Sequence, residues 1–133
     1  MNWEELIAAR SAPERLERMR PVLDRIPEHW GKYLPDPGWD ELLLDLDSRL
    51  AEIDPSYTIL QAKEKFGTLR FYFSASDGAA PGSSDKMRDL IVYAEDKSAH
   101  TCEQCGAAGA KARHTGWIKT LCDDCAEGRH GAA

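Results

Sequence analysis

Apolar residues recur every three or four positions between residues 39 and 53, as on one face of a helix. The stripe consists of Leu42, Leu43, Leu46, Leu50 and Ile53. The other face is predicted to be a solvated acidic surface and carries Asp40, Glu41, Asp45, Asp47 and Glu52. Asp54-Pro55 should end the helix, because the residue before a proline disfavours the helical conformation.

The N-terminal stretch up to residue 26 also reads as helical, and the prolines from Pro27 to Pro37 then mark a loop. Trp3, Leu6 and Ile7 suggest one short amphipathic turn near the start. Helical spacing then continues from residue 16 to residue 26. Pro21 falls inside this second pattern and should split or kink the helix.

The period changes to two from Tyr57 onward, which predicts β-strands. Runs at 57–62 and 69–73 flank Gly67, so we expect an antiparallel hairpin in which this glycine supplies a positive φ. Leu69, Phe71 and Phe73 should then face the helices, with Arg70 and Tyr72 on the outer face. A further helix is predicted at about 85–99, with Met87, Leu90, Ile91 and Ala94 directed inward.

Composition and charge describe one ordinary domain with an appendage. The chain has 133 residues, 42% of them hydrophobic, and a net charge of −6. Residues 1–56, with 13 acidic and 7 basic side chains, account for that charge. No apolar run approaches the roughly 20 residues of a membrane span. The acidic start and the free cysteines predict a cytoplasmic protein with no membrane partner.

All four cysteines lie in two CxxC pairs with sixteen residues between them. Cys102 and Cys105 form the first pair, and Cys122 and Cys125 form the second. Two tight turns facing each other across a hairpin can direct four thiolates at one ion, which predicts a structural Zn²⁺ in a zinc ribbon. Substitution of one sulfur by His100 or His114 is the alternative ligand set.

Other chemistry for these cysteines fits the sequence less well. A thioredoxin-like redox site requires a single CxxC pair at a strand–helix junction of a βαβ unit. A catalytic zinc keeps an open coordination position, and four cysteines fill a tetrahedron. The chain also has no HExxH, GxSxG or Gly-rich phosphate loop. We therefore expect no enzyme activity and no small-molecule substrate.

The fold class predicted from these elements is α+β. A helical N-terminal part packs on a β-hairpin, and a long helix leads into the C-terminal ribbon. The predicted boundaries are a helical and hairpin domain at 1–100, a zinc ribbon at 101–127 and a flexible tail at 128–133.

The run KEKFGTLRFY at 63–72, together with the CxxC pairs and the lead-in at 117–122, resembles a family of small bacterial and prophage proteins. These share such a hairpin and a C-terminal zinc ribbon, and the resemblance covers about residues 57–126. It implies a phage or mobile-element setting, supports the metal site and carries over no catalytic residue.

Basic and aromatic side chains of the hairpin and ribbon are the candidate partner-binding residues. They are Lys63, Lys65, Phe66, Arg70, Tyr72, Lys111, Arg113, Trp117 and Lys119. Aromatic residues and arginine anchor protein interfaces, so the first hypothesis is a non-catalytic protein-interaction module, such as an inhibitor or adaptor of a host complex. The second hypothesis is a nucleic-acid-binding ribbon that grips phosphates and stacks on bases. The hairpin could instead be a structural edge whose lysines prevent strand addition.

Overall fold

A computed structural model describes residues 12–128 and confirms the α+β class. The helices are α1 (Pro13–Arg18), α2 (Arg20–Leu23), α3 (Asp40–Ile53), α4 (Ser83–Ser98) and α5 (Asp123–Ala126), with single 3-10 turns at Glu28–Trp30 and Pro37–Trp39. The strands are β1 (Thr58–Lys65), β2 (Thr68–Ser74), β3 (Lys111–Thr115) and β4 (Trp117–Leu121). The predicted turn at Trp3–Ile7 and the tail beyond residue 128 lie outside the described residues. Within those residues, no helix combines the length and apolarity that crossing a bilayer requires.

Helix α3 supplies the centre of the core, as its apolar stripe predicts. Leu43, Leu46 and Leu50 are buried there beside Trp39.

Pro21 divides the N-terminal helical run as predicted, because its ring clashes with the carbonyl four residues earlier and it has no N–H to donate. The chain breaks at Met19, between α1 and α2.

The acidic side of α3 is only partly solvated, so the predicted exposed face is wrong at two positions. Asp40 is buried and accepts from Arg15 Nη2 at 2.7 Å and from Arg18 Nη2 at 2.7 Å. Asp47 is also buried and accepts from Arg25 Nε at 2.6 Å. Periodicity marks both positions as polar, but it contains no information about arginines from distant parts of the chain that cover them.

The hairpin of β1 and β2 turns at Phe66 and Gly67, whose φ values are 54° and 84°. Two successive positive φ values match the twist of an antiparallel pair. Leu69 and Phe71 are buried as predicted. The strict alternation predicted for β1 is wrong beyond Ile59, because the register shifts before Gln61.

The outer edge of β2 is covered by α4. Leu69 N donates to Ser98 Oγ at 2.8 Å, and Phe71 N donates to Glu95 Oε2 at 3.0 Å. These side chains occupy donors that an added strand would need, so this edge is protected from strand addition.

The cysteine-bearing segment docks directly on the turn before α3. Gly38 N donates to Glu103 O at 2.8 Å, and Trp39 Nε1 donates to Thr101 O at 2.8 Å. A Cβ at Gly38 would lie 2.2 Å from Cys102 O. On the other side, Thr120 Oγ1 donates to Gly67 O at 2.5 Å.

The cysteine-bearing segment nevertheless has an apolar cluster of its own, around Cys102, Ala110 and Cys125. The predicted domain boundaries stay a prediction.

Gly38→Ala should separate this turn from the segment at 101–103 because the backbone leaves no room for a methyl group. We expect a loss of about 1–3 kcal/mol in the free energy of unfolding, measured by urea titration. Gly78→Ala is the matched control, because its Cβ would have nothing within 4 Å. Equal stability of the two variants would show that the close approach at Gly38 does not constrain the fold.

Candidate metal centre

Two short turns present the four cysteines. Cys102 and Cys105 lie in the turn that follows α4, where Gly106 N donates to Cys102 O at 2.9 Å. Cys122 caps α5, which contains Cys125, and its Sγ accepts from Cys125 N at 3.4 Å. The antiparallel pair β3–β4 returns the chain between the two turns, as predicted from the spacing.

The four Sγ atoms converge to within 4.8 Å of one another. Cys105 Sγ and Cys122 Sγ are 3.6 Å apart, and all four cysteines are free of disulfides. Four sulfurs at about 2.3 Å from one ion would be separated by about 3.8 Å in a tetrahedron. The donor set therefore fits a bound metal ion.

The group of potential ligand atoms consists of cysteines alone. Among residues 12–128, neither His100 nor His114 belongs to this group of potential ligand atoms, and both are exposed. Cys102 and Cys125 are buried, whereas Cys105 is exposed. The site is closed on its inner side and open to solvent on the side of Cys105.

Backbone amides already favour the thiolate form at two of the four cysteines, Cys102 and Cys122. Burial acts to raise the pKa of Cys102, but N–H groups of Cys105, Cys122 and Gln104 outweigh it and the pKa is lowered. Burial and the surrounding thiols raise the pKa of Cys125. A metal ion would supply the positive charge that lets all four sulfurs ionise together.

Glu103 braces the first cysteine pair against β4. Its backbone N donates to Thr120 O at 2.9 Å, and its Oε2 accepts from Thr120 N at 2.6 Å. The side chain is 1% exposed, and burial is the main cause that raises its pKa to about 7. Sequence reasoning missed this residue, because a glutamate between two ligand cysteines gives no signal that distinguishes a buried brace from a solvated side chain.

Lys119, predicted to bind a partner, lies among three carboxylates. Its Nζ is 3.2 Å from Glu64 Oε1, 3.4 Å from Glu103 Oε1 and 3.8 Å from Asp36 Oδ2. Burial acts to lower the pKa of Lys119, but the charges of Glu103, Asp36 and Glu64 outweigh it and the pKa is raised. The ammonium thus links the ribbon to the main domain.

Arg113, another ribbon cation predicted to bind a partner, is also bound by groups of its own chain. Its Nη2 binds Leu121 O at 3.2 Å and Asp123 Oδ1 at 2.7 Å. Lys111 is exposed. The ribbon therefore offers fewer free cations than its sequence suggests.

The structure brings three predicted partner residues together at the two hairpin tips. Phe66 is 64% exposed and Trp117 is 86% exposed, and with Lys65 they line one depression of about 320 Å³. Lys65 Nζ lies 5.6 Å from the Phe66 ring centroid. We call this surface the aromatic tip, defined by Lys65, Phe66 and Trp117.

The remaining hairpin candidates lie elsewhere. Lys63 Nζ lies 6.0 Å from the ring centroid of Tyr72, which is half exposed. Arg70 is half-buried and lines a separate cleft beside α4. The predicted set thus divides among several surfaces.

Comparison with known proteins adds no further information, since no family model, curated protein or solved structure matches this chain. What the structure itself defines is a ribbon-like module in which two CxxC turns face each other and could bind a metal.

Cys105→Ser should weaken or abolish metal binding because it removes a quarter of the donor set. Structural metal sites contribute about 10 kcal/mol or more to the folding of small metal-binding peptides. We therefore expect residues 101–126 to lose amide protection in hydrogen exchange, while the core of α3 stays protected. Elemental analysis should show one metal ion per chain in the wild type and in a His114→Ser control. Simultaneous loss of protection along the whole chain would contradict this expectation.

Lys119→Met should destabilise the protein by roughly 1–3 kcal/mol, because it leaves buried carboxylates without their cation. Thermal or urea unfolding measures the change. Lys111→Met is the control, since that side chain is exposed in the strand paired with β4. If the two variants are equally stable, Lys119 does not link the ribbon to the main domain and is again a candidate for partner binding.

Proposed function

We propose that this protein is a non-catalytic protein-interaction module in which a structural Zn²⁺ fixes the geometry of a binding surface. Four thiolates fill a tetrahedral zinc site and leave no position for substrate or water. The ion would act as a scaffold. Four free thiols also favour a reducing compartment, so we propose a cytoplasmic setting.

The aromatic tip is the observation that supports this function best. Large exposed aromatic side chains, held on rigid turns, are typical anchors of protein interfaces. The turn that carries Phe66 is tied to β4, because Thr120 Oγ1 donates to the carbonyl of Gly67. The ribbon thereby sets the separation of Phe66 and Trp117, and loss of the metal would remove one side of the surface.

A nucleic-acid-binding ribbon is the second candidate. The position of Lys65 beside two exposed rings supports it, because such a surface can stack on bases and contact a phosphate. The engagement of Lys119 and Arg113 and the net charge of −6 weigh against it. The aromatic tip thus favours a protein partner.

The biological setting of the proposal comes from the sequence resemblance alone. In a phage or mobile element, a small module of this kind would act as an inhibitor or adaptor on a host protein complex.

Site-specific photo-crosslinking in the native cell tests the proposal. A benzophenone amino acid at Trp117 should capture a discrete protein, and Phe66→Ala in the same chain should reduce the yield severalfold because it removes the adjacent anchor. The same probe at Leu16, which is 40% exposed on α1, reports random capture.

Nuclease treatment before isolation separates the two candidates. A protein adduct that survives the nuclease supports the proposal. If the adducts disappear with the nuclease and the protein also shows salt-dependent retention on DNA or RNA, the result would favour the nucleic-acid-binding function instead. Equal capture at Trp117 and Leu16 would overturn it.

A further inference from the structure

Arg70 differs from the other arginines that the structure describes. Each of the others in residues 12–128 lies within 3.5 Å of a carboxylate oxygen, for example Arg88 beside Asp85 at 3.2 Å. Arg70 has no such pair among these residues, and its buried Nε finds no acceptor in the same part of the chain. The buried Nε itself is out of a ligand's reach. A half-buried guanidinium without an anion is nevertheless unfavourable, so an external anion at the accessible part of the side chain would stabilise it.

The side chain lines a cleft with a volume of about 840 Å³. Strand β2 contributes Arg70 to the lining, and the second half of α4 contributes Tyr93. Ala108 and Gly109, which follow the first cysteine turn, also line the cleft. Tyr93 is 63% exposed and gives the cleft an aromatic surface.

The charges around the cleft favour a single negative charge in the ligand. Lys97 accompanies Arg70, whereas Glu95 and Asp96 also line the cleft. The C-terminal end of α4 adds partial negative charge. A phosphate dianion would meet this repulsion, while a carboxylate would match the planar fork of one guanidinium.

The aromatic surface of Tyr93 restricts the class of carboxylate ligand further. An aspartate or glutamate side chain would bring a carboxylate without an apolar group beside it. A C-terminal residue with an aromatic side chain brings both, because its carboxylate and its side chain leave the same Cα. Capture of a terminal carboxylate is a recurring mode of peptide recognition.

We propose that this cleft binds the C-terminal residue of a partner protein, with its carboxylate on Arg70 and its apolar side chain against Tyr93. The inference rests on the proposed function for the source of the ligand, and it assigns a second contact surface whose lining residues differ from those of the aromatic tip.

Titration of the metal-loaded protein with N-acetyl-phenylalanine tests the proposal. We expect saturable shifts of the Arg70 Nε–H signal and of the amides at 93–101 in ¹H–¹⁵N spectra, with a dissociation constant on the order of 1 mM for so small a fragment. N-acetyl-phenylalaninamide should bind at least about tenfold more weakly because it has no charge for the guanidinium.

Other probes test the choice of ligand. N-acetyl-glutamate α-amide carries its carboxylate on a side chain, and inorganic phosphate carries the wrong charge; both should bind at least about tenfold more weakly than the aromatic acid. Equal affinity of the acid and its amide, tighter binding of either other probe, or no shift at 20-fold the expected constant would each overturn the proposal.

Variants then assign the contact. Arg70→Met should abolish acid binding, and Arg70→Lys should weaken it about tenfold because the fork is lost. Arg88→Met on the exposed side of α4 is the matched control and should bind like the wild type. Unchanged binding by Arg70→Lys would show that Arg70 does not hold the carboxylate. The wild-type titrations remain decisive if Arg70→Met does not fold.

These titrations need no partner protein. A failure to bind N-acetyl-phenylalanine would therefore leave the crosslinking result at the aromatic tip intact, and a failure of the crosslinking would leave these titrations intact.

Discussion

The backbone and side chain of Glu103 join three parts of the molecule that are far apart in the sequence. Its carbonyl accepts from Gly38 N, its amide donates to Thr120 O, and its carboxylate accepts from Thr120 N. Lys119 lies over the same carboxylate and reaches Glu64 on β1. Since Glu103 directly follows Cys102, these hydrogen bonds tie the cysteine cluster both to the turn before α3 and to β4.

This connection explains how a small ribbon can organise a surface to which its own ligands do not contribute. Phe66 belongs to the main hairpin and Trp117 to the ribbon, and they become neighbours only where β4 passes the turn at Gly67. The turn itself holds a non-glycine residue, Phe66, at a φ of 54°, an uncommon conformation that a tight two-residue hairpin turn requires. A metal in the cysteine cluster would therefore act at a distance, by holding the second aromatic side chain beside the first.

Local signals in the sequence were sufficient to predict the main helices, the hairpin and the cysteine cluster. The stripe on α3, the glycine of the hairpin turn and the two CxxC pairs each depend on residues close in the chain, and the structure contains all of them. The roles of Lys119 and Asp40 could not be found in this way, because each depends on partners at least 16 residues away. A charged residue reads as solvated in a periodic pattern unless its counterion is adjacent, so buried ion pairs are systematically assigned to the surface.

The partners of the buried and half-buried arginines distinguish residues that serve the fold from a residue available to bind a ligand. Pairing of Arg15 and Arg25 with buried aspartates compensates for removing their charges from water, so these residues are accounted for by the fold. Arg70 is half-buried without that compensation, although carboxylates are abundant in an acidic chain. Residues that break a rule followed by their neighbours are where binding sites are expected, because the missing group is then supplied from outside. The same reasoning separates Lys119, whose counterions belong to this chain, from Arg70, whose counterion we assign to another.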